Sequence, residues 1–92
     1  MATRVRHPAS WMQLPIDDRI LEILDSSELI LSPAVIALNI EKSRSEVNRR
    51  LSILVEYGLL TRVKRGYYEI APDGEAYLRG DLDASTLSEQ TD

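Results

Sequence analysis

Apolar residues recur along this chain first with a helical period and then with the period of strands. The run IDDRILEILDSS places Ile16, Ile20, Ile23 and Leu24 at i, i+4, i+7 and i+8, one face of a helix. Asp17 and Asp18 fall in its first turn, where the helix dipole favours negative charge. As neighbours on a helix they point in different directions, so they do not form a paired-carboxylate catalytic centre. Leu29-Ile30-Leu31 is a short unbroken apolar run and predicts a small strand. Ser32-Pro33 then predicts a helix start, with Ser32 as N-cap and Pro33 at the first helical position. That helix, PAVIALN, is brief and turns Ile36 and Ala37 inward. Asn39 is expected to end it in the left-handed conformation, leaving Ile40 to plug the turn into the core.

A third helix opens at Ser43. Ser43 and Glu46 form S-x-x-E, a capping box in which each side chain satisfies the other's free backbone N–H. Val47, Leu51 and Leu54 make the inward stripe, and Gly58 supplies the left-handed stop. At about 100° per residue, Ser45, Asn48, Arg49 and Ser52 lie opposite that stripe, and Arg50 lies at its edge. Ile53 falls on neither face. After Gly58 the runs LLTRV and YYEI flank Lys64-Arg65-Gly66, which predicts a β-hairpin with Tyr68 and Ile70 on its core face. Pro72 starts a last helix, PDGEAYLR, ended by Gly80, and Leu82 is expected to pack after it.

The predicted domain covers residues 15–82. Residues 1–14 lack periodicity and read as an arm anchored by Trp11, which covers a core edge or a dimer seam. Residues 83–92, polar and acidic, read as a disordered tail. Ninety-two residues with 43% apolar content support one modest core. With no cysteine and a single histidine, His7, neither disulfides nor the usual zinc sites are expected. No signal-peptide pattern or membrane-length apolar run occurs, so an intracellular, cytoplasmic protein is expected, away from membranes.

Charge changes the picture more than composition does. The chain carries a net −4, yet residues 42–65 hold seven bases (Lys42, Arg44, Arg49, Arg50, Arg62, Lys64, Arg65) against two acids, Glu46 and Glu56. That window is +5, and the remaining four bases and thirteen acids give −9. A basic cluster in an acidic body points to an anionic partner.

The predicted order is α-β-α-α-β-β-α, a mainly α (α+β) fold with a small β-hairpin. From about Ile16 to Leu82 the sequence resembles the winged helix-turn-helix family. The most specific segment is SRSEVNRRLSILVEYGLL, similar to the recognition helix and first wing strand of winged-helix repressors. The run RGYYEIAPDGEAYLRGDLD resembles the wing strand and closing helix of archaeal members, especially small haloarchaeal proteins similar to phage repressors. Two departures stand out. Asn39-Ile40 occupies the place of a longer second helix and a Gly-Val turn, and Ala71 replaces the Thr that often caps the last helix. The resemblance implies a regulator that binds double-stranded DNA sequence-specifically, a repressor that occupies a promoter; a homodimer is expected because one short helix reads few bases and a two-fold partner doubles them on a palindromic site. Residues 43–57 are then the major-groove helix, and residues 61–70 are the wing on the flanking backbone or minor groove.

Residue chemistry fits that implication. Asn can bond adenine bidentately and Arg guanine, which suits Asn48 and Arg49 to base edges. Ser43, Arg44 and Ser45 lie where a helix N-terminus favours phosphate, and Ser52 continues the same face. Lys64 and Arg65 at the hairpin tip suit minor groove or backbone, with Arg62 and Lys42 beside phosphate. Arg50 is expected to snorkel toward a phosphate or an acid. Tyr67 can stack on a base or sugar, or pack at the hairpin edge. Tyr57 and Tyr77 read as core or dimer residues, and Trp11, Tyr77 and Leu78 as the dimer elements. The rival is a winged-helix module that binds protein: the acidic total favours it and the +5 window opposes it. An enzyme would need a nucleophile–base pair or a metal cluster, and the sequence offers neither. No cofactor is expected, and nothing in the sequence names a small-molecule effector.

Overall fold

A computed structural model describes residues 5–89. The first four residues of the expected arm and the last three of the expected tail lie outside the described residues. The elements are α1 (Ile16–Ser27), α2 (Pro33–Ile40), α3 (Arg44–Glu56), β1 (Leu60–Lys64), β2 (Tyr67–Ile70) and α4 (Pro72–Leu78), followed by a 3-10 turn at Ala84–Thr86. β1 and β2 form an antiparallel hairpin. Among the described residues no helix is long and apolar enough to cross a membrane.

The four helices enclose one core. Ile20 and Leu21 of α1, Ile36 of α2, Val47, Leu51 and Leu54 of α3, then Leu59 and Tyr77 are fully buried. The stripe on α3 is the one its spacing predicts. On α1 the buried arc is wider than the spacing suggests: it takes in Ile16, Asp17, Ile20, Leu21 and Leu24, while Ile23 sits at the margin.

Local signals place the helix ends. Ser32 Oγ accepts from the Val35 N–H at 3.4 Å, with Pro33 in the first turn. α2 does not stop at Asn39. Asn39 stays helical, its side-chain amide donating to the Val35 carbonyl at 2.8 Å, and Glu41 takes the left-handed conformation at φ 57°. Helical spacing explains the extra residue, since Ile36 and Ile40 are i, i+4 and continuing the helix buries both. At Gly58, φ is 81°, and the Leu59 N–H returns to the Leu54 carbonyl at 3.0 Å. This left-handed stop drives Leu59 and Leu60 into the core and aims β1 away from it.

The expected strand at Leu29-Ile30-Leu31 contracts to a single bridge. Leu31 and Tyr68 exchange two backbone hydrogen bonds of 2.9 Å, while Leu29 and Ile30 are exposed. Between the left-handed Glu28 and the N-cap Ser32 there is room for no more. α4 covers the base of the hairpin. Its N-cap, Ala71, makes no side-chain bond, so that end is uncapped as the sequence suggests.

Both flanks fold onto the body. Arg6 donates to the Leu78 carbonyl at 3.0 Å and pairs with Glu22 at 2.7 Å and Asp18 at 3.3 Å. His7 bridges Asp83, and the Ala84 N–H donates to the His7 carbonyl at 2.9 Å. Asp83 caps the short turn through the Ser85 N–H, Ala84 is fully buried, and Leu87 packs against the core. The segment expected as a disordered tail is seated against the body as far as Leu87. One small residue, Ala84, fills a core position that a polar composition conceals.

Candidate nucleic-acid interface

The N-terminus of α3 is held by short-range chemistry. Ser43 Oγ accepts from the Glu46 N–H at 3.2 Å, and the Ser43 N–H donates to Glu46 Oε1 at 3.4 Å. Ser43 Oγ also donates to that carboxylate at 3.0 Å. These bonds, the hydroxyl's first, hold the Glu46 carboxyl below its ordinary range. Ser43 is thus spent on the cap, while the amides of Arg44 and Ser45 precede the first intrahelical donor, Val47. With Val47, Leu51 and Leu54 inward, Arg44, Ser45, Asn48, Arg49 and Ser52 are all exposed. Ser52 Oγ donates back to the Asn48 carbonyl at 3.3 Å, which ties it to the helix.

Arg50 corrects the sequence reading. It is 5% exposed and does not face phosphate. Its Nε and Nη2 donate to the two carboxylate oxygens of Asp17, each at 2.8 Å, and Nη2 reaches the Trp11 carbonyl at 3.2 Å. Asp17 is fully buried and also accepts the Gln13 N–H at 3.0 Å. The bonds to Asp17 raise the Arg50 pKa, with burial opposing them. Of the two outcomes expected for Arg50, the acid prevails, and this residue leaves the DNA-facing set.

The hairpin projects. Leu60 is buried, residues 61–67 are exposed, and Tyr68 returns to the core. The pairing runs Leu60 to Ile70, Thr61 to Glu69, Arg62 to Tyr68 and Lys64 to Tyr67, with an irregularity at Val63. Gly66 turns the tip at φ 81°. Arg62 donates to the Tyr68 hydroxyl at 3.2 Å and lies 5.5 Å over that ring, so it is steadied while exposed. Lys64 and Arg65 sit free at the tip, and half-exposed Tyr67 shares a groove with Ile30, Val63 and Lys64. Lys42 is exposed in the turn before α3.

The chain matches the profile of the winged helix-turn-helix phage repressor family over residues 1–90. It belongs to that family. It is 37% identical over 81 residues to the repressor protein of Halobacterium phage phiH, an alignment covering 84% of this chain and 90% of that protein. It also resembles the crystal structure of the PhiH1 repressor-like protein from Haloarcula marismortui. The TM-score is 0.83 and the identity 40%, covering 94% of this chain and 98% of that one. As a winged helix-turn-helix repressor-family protein of haloarchaeal type, the chain is a DNA-binding transcriptional regulator and not an enzyme.

Charge in this family member is segregated. Six of the seven bases of residues 42–65 are exposed, all except Arg50. Elsewhere Asp25, Glu28, Glu69 and Glu75 line one acidic groove. Among the described residues no group of three or more His, Cys, Asp or Glu is placed to hold a metal ion.

Contacts that sequence spacing could not place lie behind α3. Trp11 stacks on Tyr57 with ring centroids 3.8 Å apart and planes 9° from parallel. The arm therefore touches the middle of α3 at Arg50 and its end at Tyr57. Tyr77 is fully buried and donates to Asp18 at 2.7 Å, so it is no dimer contact. Asp17 carries no sequence signal beyond its place in a first turn, and its partner is 33 residues away.

Proposed function

We propose that this regulator binds DNA as a homodimer, in the cytoplasm, and represses by occupying a promoter. Residues 44–49 of α3 enter the major groove, where Asn48 and Arg49 meet base edges. Arg44, Ser45 and Lys42 meet phosphate at the helix N-terminus, with Ser52 at the margin of the face. Lys64 and Arg65 follow the flanking backbone or minor groove, with Arg62 behind them and Tyr67 at the wing edge. The observation that supports this reading is that six of the seven bases of residues 42–65, at the capped end of α3 and on the wing, are exposed. A dimer follows from economy: one short helix reads few bases, and a two-fold partner doubles them on a palindromic site.

Fluorescence anisotropy with a duplex selected from a random pool tests the face. Asn48→Ala with Arg49→Ala is expected to remove about 2–6 kcal/mol of preference for that duplex over a scrambled one, at about 1–3 kcal/mol per bidentate contact. The double variant's melting curve should match the parent's. Unchanged preference would move the base contacts elsewhere. Light scattering is expected to give two chains per duplex, and a single chain on the selected duplex would contradict the dimer.

A further inference from the structure

Asp17 and Arg50 are the buried charged residues of this core, and they join α1 to the helix that faces DNA. Arg50 directly follows Arg49 and lies two residues after Asn48. Its planar guanidinium is fixed on one edge by both Asp17 oxygens, and Nη2 also bonds the Trp11 carbonyl. Asp17 is fixed in turn by the Gln13 N–H, and Trp11 by its stack on Tyr57, the C-cap just past the end of α3. Three directional bonds to one side chain resist rotation of α3 about its axis, in addition to the packing of Val47, Leu51 and Leu54.

The leverage is geometric. Side chains stand about 5–6 Å from a helix axis, so a rotation of about 20° moves their ends by about 2 Å. Hydrogen bonds tolerate only about 0.5 Å in length. Phosphate contacts depend on that angle less: Lys64 and Arg65 stand on the hairpin beyond Gly58, and the long Arg44 side chain can follow a phosphate.

We propose that the Asp17–Arg50 pair, buttressed by the Trp11 carbonyl, is a specificity-determining positioning device: it sets the rotation of α3 and so the aim of Asn48 and Arg49, without touching DNA. This rests on the assignment of α3 to base readout. Burying an ion pair adds little net stability over an apolar pair of similar volume, so the pair is separable from folding.

The test replaces it by Asp17→Leu with Arg50→Met and measures melting temperature and anisotropy on the selected and scrambled duplexes. The expected result is an equal or higher melting temperature, scrambled-duplex affinity within about threefold of the parent, and a selected-to-scrambled ratio reduced about tenfold or more. A merely structural pair leaves that ratio unchanged in a folded variant, which overturns the proposal. Arg50→Lys, which keeps the charge but not the fork, covers the case of an unfolded double variant. It should fold with an intermediate ratio, and a parental ratio overturns the proposal. If the parent itself selects no sequence from the pool, the base-readout assignment fails first, a result distinct from a parent that selects and a variant that selects equally well.

Discussion

Substituting Gly74 by alanine sets two physical effects against each other. Gly74 lies in the first turn of α4, where alanine has a helix propensity better by up to about 1 kcal/mol. Against this, a Cβ at Gly74 would stand 2.3 Å from the Leu59 carbonyl oxygen and 2.8 Å from Ile70 Cγ1. The oxygen is backbone, at the junction where α3 hands over to β1, and it accepts the Ala71 N–H at 3.1 Å. Relief requires α4 and the hairpin base to part by about an ångström or more, since 2.3 Å is far inside ordinary contact. Overpacking of this kind costs about 1–3 kcal/mol, and weakening the Ala71 bond costs about 1 more. The packing terms win, and the net destabilisation is about 2 kcal/mol. For a domain of this size that lowers the melting temperature by about 8–16 °C. Thermal unfolding followed by far-ultraviolet circular dichroism measures it. A Gly74→Ala chain that melts at or above the parent's temperature would refute the close approach of α4 to the hairpin base.

Ser43→Ala should destabilise by about 1 kcal/mol at pH 7, read from urea unfolding. Because the fold depresses the Glu46 pKa, that residue's share of the box is present above the ordinary carboxylate range and is lost as pH falls through the lowered value. The parent's advantage over Ser43→Ala should therefore narrow below about pH 4. Tyr77 behaves oppositely: burial first, then its bond to Asp18, raises the phenol pKa. Its contribution is present at neutral pH and is lost as pH rises, so parental stability should fall above about pH 10. Tyr77→Phe should cost about 1–2 kcal/mol at pH 7 and show a shallower alkaline decline.

Legibility in the sequence followed the range of the interactions. Ser32-Pro33, the Ser43–Glu46 box, Gly58 and the Gly66 turn act within a few residues, and each stands where its local chemistry says. The α3 stripe was equally plain, because three apolar residues at helical spacing leave one exposed face. What escaped depends on long-range partners. Arg50 at the stripe edge is chemically free to choose phosphate or acid, and only the fold brings Asp17 beneath it. Asn39 is a good helix terminator, but burial of Ile40 beside Ile36 outweighs that preference. Gly74 reads as an ordinary glycine until Leu59 and Ile70 are placed against it. Ala84 hides in a polar run, since one alanine carries too little apolar signal to announce a core position.

The acidic body bears on how the interface works. Acids outnumber bases by fifteen to eleven, and nine of the eleven bases are arginine. At 1 M salt the Debye length is about 3 Å, so acids away from the interface barely repel DNA there. Phosphate contacts weaken as salt rises through counterion release. In concentrated salt, base contacts from α3 and bridging water therefore have to supply much of the affinity. A titration of isotope-labelled chain with its selected duplex, following backbone amides by nuclear magnetic resonance, locates the interface. The largest shifts are expected at Arg44 to Arg49 and at Lys64 to Tyr67, with Asp25, Glu28, Glu69 and Glu75 unmoved. Shifts centred on that acidic groove, or on α4, with the start of α3 unmoved, would contradict that placement.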